Sequence, residues 1–492
     1  MADSPCIVWF RRDLRIDDNP ALTAAIERRA PVIPVYIHAP DEEGEWAPGG
    51  ASRWWRHHAL SSLAEALESL GLPLIVRRGS SLDTLRALVE ETGAGAVFWN
   101  RRYEPAIIER DTGIKQALRD DGLEAWSGNA GLIWEPHQVE NKQGKPYKVY
   151  TPFWRHLRTL APSPPVVLPD IEAIAPDPAP ASLDIDDLDL RPEIGWDADF
   201  PERWTPTLEG ASEALHGFLD GPIDRYGARR DRPSVRGTSR LSPFLAHGQL
   251  GPRQVWAAVH ASGASDRRDG FKYLSEIGWR EFAYHLLVHF PHTPTEALND
   301  GYRDFPWEPD DEALEAWQEG RTGYPIVDAG MRELWRTGWM HNRVRMIVAS
   351  LLVKHLLQPW QAGARWFWDT LVDADLASNT MGWQWSAGSG ADAAPYFRIF
   401  NPMLQGEKFD PKGDYVRRWV PELAELPDKH IHTPWEAPSE VLEAAGVTLG
   451  DTYPHPIIEH KAGRQRALDA LSLNKERNEA RAEKDSAGQG NG

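Results

Sequence analysis

Cysteine is almost missing from this chain of 492 residues: Cys6 is the only one, which excludes an internal disulfide and a cluster of thiolate-held metal. Long hydrophobic runs are missing too. The longest, Met346 to Val353, is far short of the roughly 20 residues that span a bilayer, and Lys354 closes it. No secretory leader is expected, because the apolar stretch after Asp3 runs straight into Arg11, Arg12 and Asp13, and the expected compartment is the cytosol. Positive charge is in deficit: 54 Lys and Arg face 73 Asp and Glu, a net charge of -19, so any polyanion must be held by a local basic patch. No G-x-G-x-x-G follows the first apolar run, where Trp9-Phe-Arg-Arg-Asp13 stands instead, and this disfavours a dinucleotide-binding domain.

What the chain does have is length for two domains, an ordinary 41% of apolar residues, and 23 Trp against 12 Tyr with no internal repeat to explain them. Short apolar runs at Cys6 to Phe10, Val32 to Ile37, Leu74 to Val76, Ala96 to Asn100 and Leu123 to Trp126 alternate with amphipathic stretches. That alternation predicts an α/β domain over residues 1–130 with a five-stranded parallel sheet. Residues 131–206, rich in Pro and acids from Pro162 on, read as an interdomain linker. Helical spacing then predicts an all-α domain over 207–473, and 474–492 read as a disordered tail.

Chemistry gathers in the second half. Thr238-Ser-Arg-Leu-Ser242 precedes a helix and suits a phosphate, although Ser or Thr there is more often a simple cap. Two basic groups, Arg229 to Arg232 and Lys408, Lys412, Arg417 and Arg418, form a cationic face if folding joins them and solvated surface if not. Aromatics and amides occur together at Trp279, Trp383, Trp385, Asn342 and Gln405, a set that suits unstacked bases or an ordinary helical core. Asp373, Asp375 and Asn379 lie in a Trp-rich stretch where unpaired polar groups are costly, so they need partners; Arg345 is one candidate.

These motifs, with Trp9 to Arg15, Tyr324 to Met331, Gly338 to Met346, Asp373 to Trp385 and Asp392 to Pro402, resemble the cryptochrome and photolyase family over nearly the whole chain. The resemblance implies FAD in the helical domain, held by Tyr226, Thr238, Ser239, Arg240, Leu241, Ser242, Tyr273, Arg280, Arg345, Asp373, Ala374 and Asp375, with Asn379 facing flavin N5. It implies a lyase that splits cyclobutane pyrimidine dimers in blue light by electron transfer from reduced FAD. Glu276 would hydrogen-bond the dimer, Trp279, Met346 and Trp385 would line its pocket, and Arg230, Asn342, Arg343 and Gln405 would touch DNA. Trp307, Trp360 and Trp383 match a chain that carries electrons from the surface to the flavin.

A cryptochrome photoreceptor is one alternative, against which the short tail and Asn379 count. Repair of the (6-4) photoproduct is another, against which Met346 counts. A nucleotide-binding or electron-transfer module without a DNA role is the third. Gly50 to Trp55 together with Thr380-Met381 resembles the class III branch, the dimer photolyases nearest plant cryptochromes. Tyr103-Glu-Pro-Ala-Ile107 lacks the Asn-Glu pair of the familiar folate site, so a methenyltetrahydrofolate antenna is expected to bind in another way. The expected partner is damaged DNA with the dimer flipped out, and the expected state a monomer without metal.

Overall fold

The protein is described by a computed structural model covering residues 4–393 and 397–489. Ala394, Pro395 and Tyr396 of the Asp392 to Pro402 motif, and the last three residues of the predicted tail, lie outside the described residues.

Five strands, β1 (Cys6–Phe10), β2 (Val32–His38), β3 (Ile75–Arg78), β4 (Ala96–Asn100) and β5 (Glu124–Gly128), form one parallel sheet in the order β3-β2-β1-β4-β5. Cys6 pairs with Val32 on one side and Ala96 on the other, which makes β1 the central strand. Being covered on both faces, β1, β2 and β4 read as unbroken apolar runs and are buried along their whole length. Helices α1 (Pro20–Glu27), α2 (Gly50–Glu68), α3 (Ser81–Thr92) and α4 (Pro105–Asp120) connect them. Asn19 caps α1, its side chain accepting from the Leu22 amide at 3.1 Å ahead of Pro20 in the first turn. Ile7, Trp9, Ile33, Val97 and Trp99 form the centre of the sheet's core.

The chain packs as two compact units. The first takes residues up to Gly227 with Thr238–Pro291 and Trp368–Ala377; the second takes Ala228–Gly237, His292–Phe367 and the chain from Ser378 onward. This division differs from a boundary at residue 207. A buried polar network ties the later segments to the α/β part: Arg15 donates to the carbonyls of Ala130 and Gly248 at 2.9 Å, and Arg253 pairs with Asp18 at 2.7 Å. Trp368 donates to the Ala47 carbonyl at 2.7 Å, and a Cβ on Gly49 would lie 2.3 Å from the Asp369 backbone, so that approach requires glycine.

Residues 131–206 are more than a linker. They contain the helix Tyr150–Leu157, and they hydrogen-bond to β2 and β3 through Val32 N to Ile174 O at 2.8 Å and Leu183 N to Val76 O at 3.0 Å. The second unit is helical. Its last helix, His460–Gln489, runs through the segment expected to be a tail, because Ala470 packs with Phe305 and Leu357 and because Asn474 and Asn478 donate to the Gly301 carbonyl at 2.8 and 2.7 Å. The helix Asn342–Ser350 passes into a π-helical turn, Leu351–His355, which buries Lys354.

Candidate functional site

In the first unit the helix Arg268–His289 sets Tyr273, Glu276, Arg280 and Tyr284 on one stripe, at spacings of three, four and four residues. Tyr273 is buried, donates to Ser239 Oγ at 3.2 Å, and meets Tyr226 edge-on at 5.3 Å between ring centroids. Burial, with the charge of Glu276 adding to it, pushes the Tyr273 phenol up to about 12. The stripe is thereby joined to the segment Thr238 to Ser242. There Ser239 Oγ also accepts from the Leu241 amide at 3.4 Å, and Arg240 takes a left-handed φ of 55°, an unusual conformation for a residue with a side chain. The next helix, Ser242–His247, has Pro243 in its first turn.

Glu276 is half-buried, 3.3 Å from Lys272 Nζ. Trp279 stacks on Tyr150 with centroids 3.6 Å apart, and Tyr150 donates to the Ser275 carbonyl at 2.5 Å, so a residue of the expected linker braces Trp279. Gly278 allows this approach: a Cβ there would lie 2.5 Å from the Trp154 ring.

Arg280 donates to the Gly131 carbonyl at 2.8 Å and lies over the Tyr284 ring at 4.7 Å. Tyr284 hydrogen-bonds Asp375. Asp373 and Asp375 are both buried, and Arg12 fixes the turn between them by donating to the Ala374 carbonyl at 2.7 Å. Tyr284 was not among the sequence candidates; its place four residues after Arg280 was the available signal. Glu281 accepts from the amides of Ile133 and Trp134 at 3.0 and 3.2 Å, and burial raises its carboxyl to about 7.

Arg102 binds Glu43 and Glu104, each at 2.8 Å. Although burial opposes it, Arg102 and then Arg56 draw Glu43 down to about 2. Tyr103 donates to Glu135 at 3.0 Å.

In the second unit the helix Asn342–Ser350 carries Asn342, exposed, and Arg343, Arg345 and Met346, half-buried. Arg343 pairs with Asp231 at 2.9 Å, and Arg230 stands 3.8 Å from the same carboxylate. Arg418 reaches the Ser234 carbonyl at 3.5 Å, so the two basic segments do come together, while Arg417 is tied to Asp428 at 2.9 Å. Arg345 donates to the Met340 carbonyl at 2.8 Å. Gln405 is half-buried on the helix Pro402–Phe409. Met346 and Trp385 line one shallow cleft with Lys354, Arg398 and Phe400. Asn379 donates to the Ala364 carbonyl at 3.0 Å.

Of the three tryptophans, Trp383 and Trp360 are buried and Trp307 is half-buried. Trp383 meets Phe367 at 5.0 Å and Trp317 at 6.1 Å, and Trp307 meets Phe305 at 4.5 Å. Among the described residues no two of the three share a ring contact.

Residues 6–173 match the family described as DNA photolyase, and residues 273–473 match the FAD binding domain of DNA photolyase. The chain is 50% identical to the deoxyribodipyrimidine photo-lyase of Agrobacterium fabrum over 95% of its own length and 98% of that protein. It is 40% identical to cryptochrome-1 of Arabidopsis thaliana over 95% of its length and 70% of that protein. A bacterial class III photolyase from Agrobacterium tumefaciens superposes with a TM-score of 0.92 at 51% identity, over 96% of this chain and 98% of that one.

Proposed function

The chain belongs to the family of DNA photolyases and cryptochromes, and we propose on that basis that it is a deoxyribodipyrimidine photo-lyase of the class III kind, which splits cyclobutane pyrimidine dimers in DNA under blue light. The observation that carries this reading is the 50% identity to a protein of that name across 95% of the chain.

The residues present suit FAD. Asn379 spends its amide nitrogen on Ala364, which turns its oxygen into the available end, a neutral acceptor suited to a flavin N–H. The left-handed turn at Arg240 bends the backbone between Ser239 and Ser242, which suits a diphosphate. When bound and reduced, FAD supplies the light-released electron that breaks the cyclobutane bonds and is then recovered. Tyr226, Thr238, Ser239, Arg240, Leu241, Ser242 and Tyr273 are assigned to its phosphates and their surroundings, and Arg280, Arg345, Asp373, Ala374 and Asp375 to its ring and ribose. Trp307, Trp360 and Trp383 are assigned to the reduction of resting flavin; electron transfer tolerates the gaps between their rings.

Glu276 is assigned a hydrogen bond to the lesion, and Trp279, Met346 and Trp385 apolar contacts with it. Arg230, Asn342, Arg343 and Gln405 are assigned to DNA, the arginines to phosphates that the acidic chain as a whole repels. Photolyases are among the enzymes known to take their target out of the base stack, and damage lowers the cost of doing so. For the antenna we assign methenyltetrahydrofolate away from Tyr103-Glu104, since Glu104 is held by Arg102 and Tyr103 by Glu135. A cytosolic monomer completes the reading; no described helix is long and apolar enough to cross a membrane.

A blue-light photoreceptor is the second reading, supported by the identity to cryptochrome-1. Dark binding tests the proposal: an oligonucleotide with one cyclobutane dimer should bind at least about a hundredfold more tightly than its undamaged copy, in line with the specificity of other DNA readers. Equal affinities overturn it.

A further inference from the structure

Lys354 closes the longest apolar run of the sequence, a position that would ordinarily return the chain to solvent. Instead it is 1% exposed. It lies in the π-helical turn Leu351–His355, and Met346, Ser350 and Lys354, at intervals of four, line the same cleft as Trp385, Arg398 and Phe400. Single π turns inside α-helices occur frequently at functional sites.

Among the described residues the amine makes two polar contacts. It donates to the carbonyl of Ala387 at 2.6 Å, the last residue of the helix Leu376–Ala387, and its Nζ lies 3.2 Å from the centre of the Phe397 ring. The first contact caps a helix end two residues beyond Trp385, where carbonyls otherwise lack donors. The second is a cation–π contact with the segment that carries Arg398 and Phe400. Ser350 strengthens the same joint, its Oγ accepting from the Phe400 amide at 3.1 Å, and Arg398 lies 5.7 Å over the Trp385 ring. Gly388 leaves room for the ammonium: its φ is +90°, and a Cβ there would come 3.4 Å from Lys354 Nζ and 3.3 Å from Phe397. Burying an amine is costly, and a hydrocarbon of equal length would fill the space at lower cost. Burial holds the Lys354 amine well below its ordinary range. Charged or neutral, it keeps an N–H for Ala387.

We propose that Lys354 is a positioning residue for lesion recognition: by tying the end of the Trp385 helix to the Phe397–Phe400 segment, it fixes the width of the cleft that Met346 and Trp385 line. This rests on the assignment of those two residues to the dimer. Lys354 acts through the two segments that it ties together.

The test uses the full chain with FAD bound and compares wild type, Lys354→Met, which keeps the length and loses the donor, and Lys354→Arg, which keeps donors. Lys354→Met should raise the dark dissociation constant for a single-dimer oligonucleotide about tenfold, the cost of one lost hydrogen bond. Affinity for undamaged DNA and turnover at saturating substrate should stay within about twofold of wild type, and Lys354→Arg should recover most of the loss. If Lys354→Met does not retain FAD, Phe397→Leu, which removes the ring against Lys354 Nζ and leaves the bond to Ala387, should shift the same dissociation constant in the same direction. A wild type that distinguishes damaged from undamaged DNA, beside a variant that does so equally well or loses both affinities equally, overturns this inference alone. A wild type blind to the dimer overturns the functional reading and this inference with it.

Discussion

Asn379 donates its amide nitrogen to the Ala364 carbonyl at 3.0 Å, and this one bond decides which end of the amide is available to a partner. The carbonyl of Ala364 can only accept, so the nitrogen must face it, and the oxygen is left pointing elsewhere as an acceptor. If that oxygen accepts from flavin N5, it favours the reduced cofactor, where N5 carries hydrogen. Asn379→Ala should retain FAD yet lower its two-electron midpoint potential by roughly 30 mV, the equivalent of one ordinary hydrogen bond. Redox titration of the purified variant reads this directly, and an unchanged potential removes Asn379 from the flavin.

Glu276 is half-buried, with Lys272 Nζ 3.3 Å from its carboxylate. Glu276→Gln should weaken binding of dimer-containing DNA by roughly 10- to 100-fold, the range for a lost hydrogen bond to a charged group, and leave undamaged DNA unaffected. Filter binding with both oligonucleotides checks it. Equal losses on both would make Glu276 a general DNA contact.

Glu281 gives a pH signature. Its folded carboxyl sits at about 7, raised by burial, while an unfolded Glu titrates near 4.3. Between those values the folded state holds a proton that the unfolded state has released, so the contribution of Glu281 to stability is full below about pH 4 and is lost as pH rises toward 7. Glu281→Gln keeps an acceptor for the amides of Ile133 and Trp134 and does not titrate. Relative to that variant, wild type should lose a few kcal/mol of stability between pH 5 and 8, because burial outweighs the pull of Arg280, 3.6 Å away. Denaturant unfolding of both proteins at the two pH values measures the difference, and a pH-independent gap contradicts it.

Gly363 lies against Trp383: a Cβ there would come 2.1 Å from the ring. Gly363→Ala should therefore destabilise the fold by about 1 to 3 kcal/mol, since an overpacked core shifts its neighbours. It should also slow photoreduction of oxidised flavin by displacing Trp383. A variant that melts like wild type would show that the ring has room to move.

The sheet was legible because parallel strands covered on both faces are short unbroken apolar runs. Cys6–Phe10 and Ala96–Asn100 coincide with the predicted strands, and the others differ by one or two residues at one or both ends. The order β3-β2-β1-β4-β5, by contrast, has no trace in local pattern. Nor has the packing of Thr238–Pro291 against the α/β part, since it depends on buried polar contacts such as Arg15 to Gly248 and Arg253 to Asp18, which carry no periodicity. At the site, the stripe of Tyr273, Glu276 and Arg280 could be read as helical spacing. The hydrogen bond from Tyr284 to Asp375 joins residues 91 positions apart, and Lys354 looked like the end of an apolar run because a π turn cannot be seen in hydropathy.

The account turns on repair. An oligonucleotide with a single cyclobutane thymine dimer, incubated with the protein and its flavin fully reduced, is followed by chromatography in blue light and in darkness, beside a copy carrying a (6-4) photoproduct. Intact thymines should return in the light only, and from the cyclobutane dimer only. No light-dependent return, with the flavin shown to be reduced and the dimer DNA bound, would contradict the account and bring forward the photoreceptor reading.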